Sequence, residues 1–397
     1  MLADKGRTSL RGRTPQRTPT RTLRRNPSRT AGSPRVGSVT RWTTWLPLAA
    51  LLVLLIALIT HTTGAFGVTV VALFLVAAVL AAVHHAEVVA HRVGDPLGSL
   101  ILAVAVTVIE VALIVTLMLS GTGDTSTLAR DTVFAAVMLS VNGIVGFSLV
   151  VGALRHHLAI FNAEGTGSAL ATVITLAALT LVLPTFTVSN PGPEFTPSQL
   201  AFAAVVSLAL YGLFVFTQTV RHRDFFLPLE TGNHSSRDVH AHELPGNRQA
   251  ATSFVLLLVS LVGVVGLAKV ESKPLEHAVD VAGLPHAIVG VVIAALVLMP
   301  EGISAVRAAA RDQAQVSFNL AYGSAMASIG LTIPTIALAK LWLSGPLTLG
   351  LGSLQIVLLL ITAIVAVLTV VPGRSKPLHG GLHLVLLATF VFVSIKP

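Results

Sequence analysis

The sequence predicts an all-α polytopic membrane protein of about eleven transmembrane helices: one extra N-terminal helix, then two inverted five-helix repeats. Three observations predict it. Of the 397 residues, 53% are hydrophobic and only 11% are charged, roughly half the charged fraction of a soluble protein. Apolar runs of membrane-spanning length follow one another from Trp42 to the end. One polar pattern occurs twice, on runs of opposite predicted direction. Cysteine is absent, which excludes a disulfide framework and thiolate metal sites.

Residues 1–41 form a separate zone with ten Arg, one Lys and a single acid, Asp4, among Thr, Ser, Pro and Gly. Such a segment cannot bury a core. It reads as a basic, disordered cytoplasmic tail that sets topology, with anionic-lipid contact as a further role. No aromatic residue interleaves the charges before Trp42, so nucleic-acid binding is not expected. The tail exceeds a signal-peptide n-region, and no small-residue cleavage site follows the apolar run.

A spanning helix needs about 20 mainly apolar residues. Such runs lie near 45–60, 65–83, 97–120, 132–153, 168–186, 198–220, 252–268, 284–307, 314–339, 348–371 and 379–396. The first is short, but Leu46 to Val83 is too long for one helix, and His61-Thr62-Thr63-Gly64 breaks it. With the tail inside and the spans alternating, the inside segments hold 21 Lys and Arg and the outside segments 5. That asymmetry follows the positive-inside rule. It predicts a bacterial inner-membrane protein with a cytoplasmic N-terminus and an external C-terminus.

The repeat begins at Glu87-Val-Val-Ala-His-Arg-Val-Gly94-Asp-Pro96 and again at Glu276-His-Ala-Val-Asp-Val-Ala-Gly283-Leu-Pro285. Each precedes an apolar run with a glutamate inside it, Glu110 in the first and Glu301 in the second. The first motif starts inside and the second outside, as inverted repeats with a midplane site require. The resulting division is residues 1–41 tail, 42–63 first helix, 64–220 first repeat, 221–250 His/Arg-rich cytoplasmic linker and 251–397 second repeat.

Of the 17 acids, only Glu110 and Glu301 fall well inside apolar spans. A carboxylate at that depth is costly, and such residues usually face a cavity or partner on an ion path. A protonated structural glutamate is the bland alternative, which the matched repeat positions disfavour. Pro300 removes a backbone hydrogen bond just before Glu301, loosening the helix and freeing carbonyl oxygens. Thr107 lies one turn before Glu110. Ser140 and Asn142 lie mid-span in the fourth helix, and Asn319, Ser324 and Ser328 in the ninth. Two carboxylates with neutral oxygens suit a hard cation such as calcium. The serines serve equally well as close-packing residues.

These stretches carry a resemblance. Ala-Glu87-Val-Val-Ala-His-Arg-Val-Gly-Asp-Pro-Leu-Gly, Val-Thr-Val-Ile-Glu110-Val-Ala-Leu-Ile, Asn142-Gly-Ile-Val-Gly, Met-Pro-Glu301-Gly-Ile-Ser-Ala-Val-Arg-Ala-Ala and Asn-Leu-Ala-Tyr-Gly-Ser324-Ala-Met-Ala-Ser-Ile-Gly-Leu-Thr-Ile-Pro resemble the bacterial ChaA-type calcium/proton antiporters of the calcium/cation antiporter superfamily. The resemblance covers roughly residues 45 to 397. It implies an exchanger fold of one helix plus two inverted five-helix repeats. It also implies exchange of cytoplasmic calcium, or of sodium or potassium, for external protons, with no cofactor. Where the vacuolar branch ends a Gly-Asn-x-x-Glu motif on the key acid, this chain has Val106-Thr107 and Val297-Leu298.

The expected cation ligands are therefore Glu110, Glu301, Thr107, Asn142, Ser324 and Ser328, with proton coupling at Glu110 and Glu301. Glu87 and Glu276 sit at the predicted mouths as access residues. Nine of the 14 histidines fall on the predicted cytoplasmic side. His84 and His85 among them read either as a pH or metal sensor or as ordinary interfacial polarity. No His-Glu-x-x-His motif or nucleophile–base pair supports an intramembrane hydrolase, and a channel or scaffold leaves the paired glutamates unexplained. Because nothing in the tail can reach a midplane site, deleting residues 1–40 leaves cation flux into vesicles largely intact. Loss of all flux in a correctly inserted truncation contradicts this reading.

Overall fold

The computed structural model describes residues 39–60, 64–94, 97–120, 125–227, 245–342 and 345–397. The expected segment 1–41 lies almost wholly outside the described residues, as does much of the 221–250 linker. Among the described residues eleven helices are long and apolar enough to cross a membrane. They are α1 Val39–Thr60, α2 Ala65–Val93, α3 Leu97–Ser120, α4 Leu128–His156, α5 Ala163–Phe186, α6 Pro197–Arg221, α7 Asn247–Val281, α8 Ala287–Ala309, α9 Ala314–Ala339, α10 Ser353–Val370 and α11 Pro377–Ile395. The all-α polytopic class is borne out.

Local chemistry explains the helix starts. Thr196 caps α6 through a reciprocal capping box with Gln199, and Pro197 occupies the first turn, where its missing N–H costs nothing. Asn162 caps α5 by accepting from the backbone of Glu164 and Gly165. Three helices of the first half contain a π-helical turn, at Leu139–Ile144 in α4, Ala178–Val182 in α5 and Thr217–Arg221 in α6. The outer surface is apolar, with Leu52, Leu55, Phe202, Leu213, Leu360 and Val385 exposed, as a lipid-facing surface must be.

Short contacts between connections sort the two faces. On one face, the two-residue strands β1 (Ala159–Ile160) and β2 (Arg374–Ser375) pair antiparallel, joining the α4–α5 and α10–α11 connections. Arg92 at the end of α2 donates to Asn247 at the start of α7 on that same face. This is the linker face. On the opposite face Gly350 N donates to Pro193 O and Thr348 N to Ser126 O, tying the α9–α10 connection to the α5–α6 and α3–α4 connections.

Buried side chains form two packed groups. One is built mainly from α4, α5, α6, α9 and α10, the other from α1, α2, α3 and α7. Helix α8 contributes to both, with Ala294, Leu298 and Ala305 in the first and Val289, Ile293 and Val297 in the second. Helix α3 is also shared, through Ile114 on one side and Ile109, Leu113 and Leu117 on the other. The two glutamate-bearing helices therefore lie along the seam.

Two expectations need correction. Helix α2 does not stop at residue 83 but continues to Val93, so His84, His85 and Glu87 are helical residues rather than residues beyond a helix end. Helix α7 likewise runs on through Glu276 to Val281. At about 1.5 Å per residue these helices outreach a bilayer core, and their polar last turns project past it. Helix α8 is continuous through Pro300.

The face assignment predicts cysteine labelling in this cysteine-free chain. Arg155→Cys on the linker face and Asp280→Cys on the opposite face are both exposed. An impermeant maleimide added from one side of the membrane labels one of them and not the other. Labelling of both from the same side contradicts the alternation.

Candidate ion site

Glu110 and Glu301 both line a cavity of about 240 Å³ formed by α3, α6, α8 and α9. Glu110 is 3% exposed, and its Oε1 accepts a 2.6 Å hydrogen bond from Ser328 Oγ. Glu301 comes from the facing helix α8, close enough for the two charges to interact. Its Oε2 is buried and has no hydrogen-bond partner. Pro300, immediately before it, offers no N–H to the carbonyl of Leu296, leaving that oxygen available. Thr107 and Ser324 also line the cavity. Of the six expected ligands, five thus share one space.

The helix surfaces explain how. On α3, Thr107 and Glu110 are three residues apart and face the same way. On α9, Ser324 and Ser328 are one turn apart, with Thr332 one turn further on. Thr332 is completely buried, with its hydroxyl close to the Glu110 carboxylate. Gly330 lets α9 close onto α6: a Cβ there falls 2.7 Å from Tyr211 Cβ. The approach places Tyr211 in the cavity wall. Towards the linker face the wall extends to Asn319 and Gln218. Asn319 is held by Gln315, and its amide donates to Phe226 O at 2.7 Å.

Asn142 is a correction. It does not line the cavity. It lies in the π turn of α4, where the extra residue shifts the helix register and turns its carboxamide toward α10 and α11. Its Nδ2 donates to Thr362 Oγ1 at 2.9 Å, and its Oδ1 lies 3.0 Å from His383 Nδ1. His85 is also placed away from the site: it is buried, with Nε2 3.1 Å from Thr43 O, an anchor between α1 and α2. His84 packs edge-on against it. Glu87 is half-buried and lies within electrostatic range of Glu301.

Glu276 lines a second, much smaller cavity of about 30 Å³ near the opposite face, with Thr125, Thr127, Leu117, His286 and Val289. Both cavities are bounded by α3 and α8. Glu110 and Leu117 are seven residues apart, so roughly 10 Å of helix separates them. Ile114 and Ile293 are buried in that layer.

Sequence reasoning missed Tyr211, Gln218, Thr332 and His383. Tyr211 is one of only two tyrosines, and its position in an apolar span was the available signal. Gln218 sits in a polar run at a helix end, where location alone says nothing.

A cavity between spanning helices that holds two carboxylates and, among the described residues, no Lys, Arg or His in its wall fits a secondary ion transporter. The comparisons agree. The family model described as sodium/calcium exchanger protein matches twice, over residues 63–220 and 252–396, once on each five-helix half. The chain belongs to that family. It is 46% identical over 323 residues to y4hA of Sinorhizobium fredii, covering 81% of this chain and 87% of that protein. It is 34% identical over 310 residues to the sodium-potassium/proton antiporter ChaA of Escherichia coli, covering 78% and 83%. Among solved structures it is similar in fold to native YfkE, with TM-score 0.68 at 14% identity over 89% of this chain and all of that one. The resemblance read from the motifs is upheld. The chain is a multi-pass ion antiporter, not an enzyme, with a cation and protons as its substrates.

Ser328→Ala removes a hydrogen bond to a carboxylate, an interaction of about 1.5–3 kcal/mol. The half-saturating cation concentration rises at least about tenfold while the amount of protein in the membrane stays the same. An unchanged value in a flux titration removes Ser328 from the site.

Proposed function

We propose that the chain exchanges cytoplasmic calcium for external protons across a bacterial inner membrane, by alternating access around Glu110 and Glu301. The observation that carries this is the pair of carboxylates, Glu110 buried and Glu301 half-buried, that line one cavity on the seam. Glu110 is held by Ser328, and Glu301 keeps an oxygen with no partner. Four carboxylate oxygens and the hydroxyls of Thr107, Ser324 and Ser328 supply an all-oxygen set, the chemistry a hard cation takes. Among the described residues no group of three or more His, Cys, Asp or Glu could hold a metal. An open pair of carboxylates suits a transported ion, which must leave as readily as it enters.

Coupling follows from competition for the same oxygens. A divalent cation stabilises both carboxylates ionised and together. A proton neutralises a carboxylate and removes the attraction for the cation. Protons arriving from outside therefore expel the cation, and cytoplasmic cation expels protons. The twofold family match and the two cavities along α3 and α8 support repeats of opposite orientation that rock about the seam. The lining of the larger of these two cavities extends from Glu110 towards the linker face, which the Lys and Arg bias makes cytoplasmic in this reading, with the C-terminus outside. The basic tail then lies against anionic lipid.

Sodium or potassium is the second reading, favoured by the likeness to ChaA. It uses the same two glutamates with one positive charge per cycle. A cation panel in everted vesicles with a proton-gradient dye decides between them. In the same assay Glu110→Gln and Glu301→Gln, which keep shape but remove the titratable charge, each bring proton-coupled flux to background in a folded, inserted protein. Glu87→Gln and Glu276→Gln lose less. Near-normal coupled flux in either of the first two would falsify the two-glutamate assignment.

A further inference from the structure

His383 is 0% exposed within α11, and the cavities described above do not include it. An ionisable side chain at membrane depth calls for a partner and a role. Its partners are clear. Nδ1 lies 3.0 Å from Asn142 Oδ1, and Nε2 lies 3.2 Å from Thr369 Oγ1. Asn142 Nδ2 donates to Thr362 Oγ1 at 2.9 Å, so its Oδ1 accepts and the imidazole carries its proton on Nδ1. Ser375 Oγ donates to Thr369 O at 3.2 Å. Thr369 Oγ1 also donates to Val365 O at 2.9 Å. Polar contacts thus link the middle of α4, α11 and the end of α10.

A second observation ties these contacts to the site. Asn142 stands in the π turn Leu139–Ile144, an irregularity that appears mostly as a single turn and often at functional sites. The π turn packs against α8. Its last residue, Ile144, faces Gly302, the residue after Glu301: a Cβ added there would meet Ile144 Cγ1 at 3.6 Å, ordinary van der Waals distance. On the other side, Gly146 lets α11 sit against α4: a Cβ there falls 3.1 Å from His383 Cβ. The turn is clamped between the helix of Glu301 and the helix of His383.

We propose that His383 is a positioning residue for the exchange reaction. With Asn142 it holds the π turn of α4, and through the Ile144–Gly302 contact it fixes the placement of the Glu301 carboxylate over the cavity. The proposal rests on the two-glutamate reading. Without the imidazole, Asn142 Oδ1 is left unpaired in a low-dielectric interior. The turn relieves this by relaxing to a regular α-helix, which rotates the side chains beyond it by roughly 100° relative to those before it. Ile144 then withdraws from Gly302, and Glu301 loses its backing.

The test is proton-coupled flux against cation concentration in full-length His383→Ala, Asn142→Ala, the double variant and His383→Gln, with Glu301→Gln alongside. His383→Ala and Asn142→Ala each raise the half-saturating cation concentration about fivefold to tenfold. The double variant is no worse than the poorer single, because the two act as one unit. His383→Gln, which still donates to Asn142, stays within about twofold of the parent. Unchanged half-saturation in His383→Ala overturns the proposal, as does a double variant in which the single effects multiply. Failure of His383→Gln to recover overturns it too. Should His383→Ala not accumulate in the membrane, Thr362→Val releases Asn142 from its other partner and raises half-saturation in the same way; no rise overturns the proposal. Retained flux in Glu301→Gln defeats the two-glutamate reading instead, so the two failures are distinguishable.

Discussion

Two carboxylates in the middle of a bilayer constrain everything around them. Each costs roughly 3 kcal/mol or more to place there, and lipid returns none of it. The bundle must therefore bring water, hydroxyls and a second carboxylate to that depth. It does so with helices that can lie close together. The stretch Ala321-Tyr-Gly-Ser-Ala-Met-Ala-Ser328 of α9 is mostly small residues, so its backbone nears α3 and its hydroxyls reach Glu110. Bulky residues at those positions would keep Ser328 more than hydrogen-bond distance away.

The same constraint explains where the site sits. Buried apolar side chains divide into two groups, and α3 and α8 belong partly to each. A carboxylate placed within one group would be sealed from water on both sides. On the seam it faces a gap that neither group needs to fill. Packed interiors switch between discrete arrangements rather than deforming continuously. A seam between two such interiors is therefore the natural place for a site that must be open first to one face and then to the other.

How much of this was legible in the sequence follows from the same physics. Span number and order were readable because lipid tolerates only satisfied backbone and apolar surface. Glu110 and Glu301 stood out because the apolar background makes a lone acid conspicuous. Thr107, Ser324 and Ser328 followed from helical spacing. The ends of α2 and α7 were missed because hydropathy measures the length in lipid, whereas a helix continues into water while its residues favour it. Asn142 was misplaced for a sharper reason. Its direction depends on a π turn, which adds one residue to a helical turn and has no signature in the pattern Leu139-Ser-Val-Asn-Gly-Ile144. His383 was passed over because a single histidine near a predicted helix start reads as interfacial polarity.

The closed layer between the two cavities is thin, and that thinness has a mechanistic meaning. Along α3 it runs from Glu110 to Leu117, and along α8 from Val297 to Val289. Each stretch is about two helical turns, or roughly 10–12 Å. Most side chains in it are apolar, and Ile114, Leu113 and Ile293 are buried there; Thr116 is its one hydroxyl. That stretch of α3 and α8 carries no charged side chain, so it offers no chain of carboxylates for an ion to step along as in a channel. In the exchange proposed above, the layer itself must move from one side of the glutamates to the other. A fixed site with a moving barrier couples two ions only if both use the same oxygens in turn, and that is why the proposal assigns cation and proton to one pair of carboxylates.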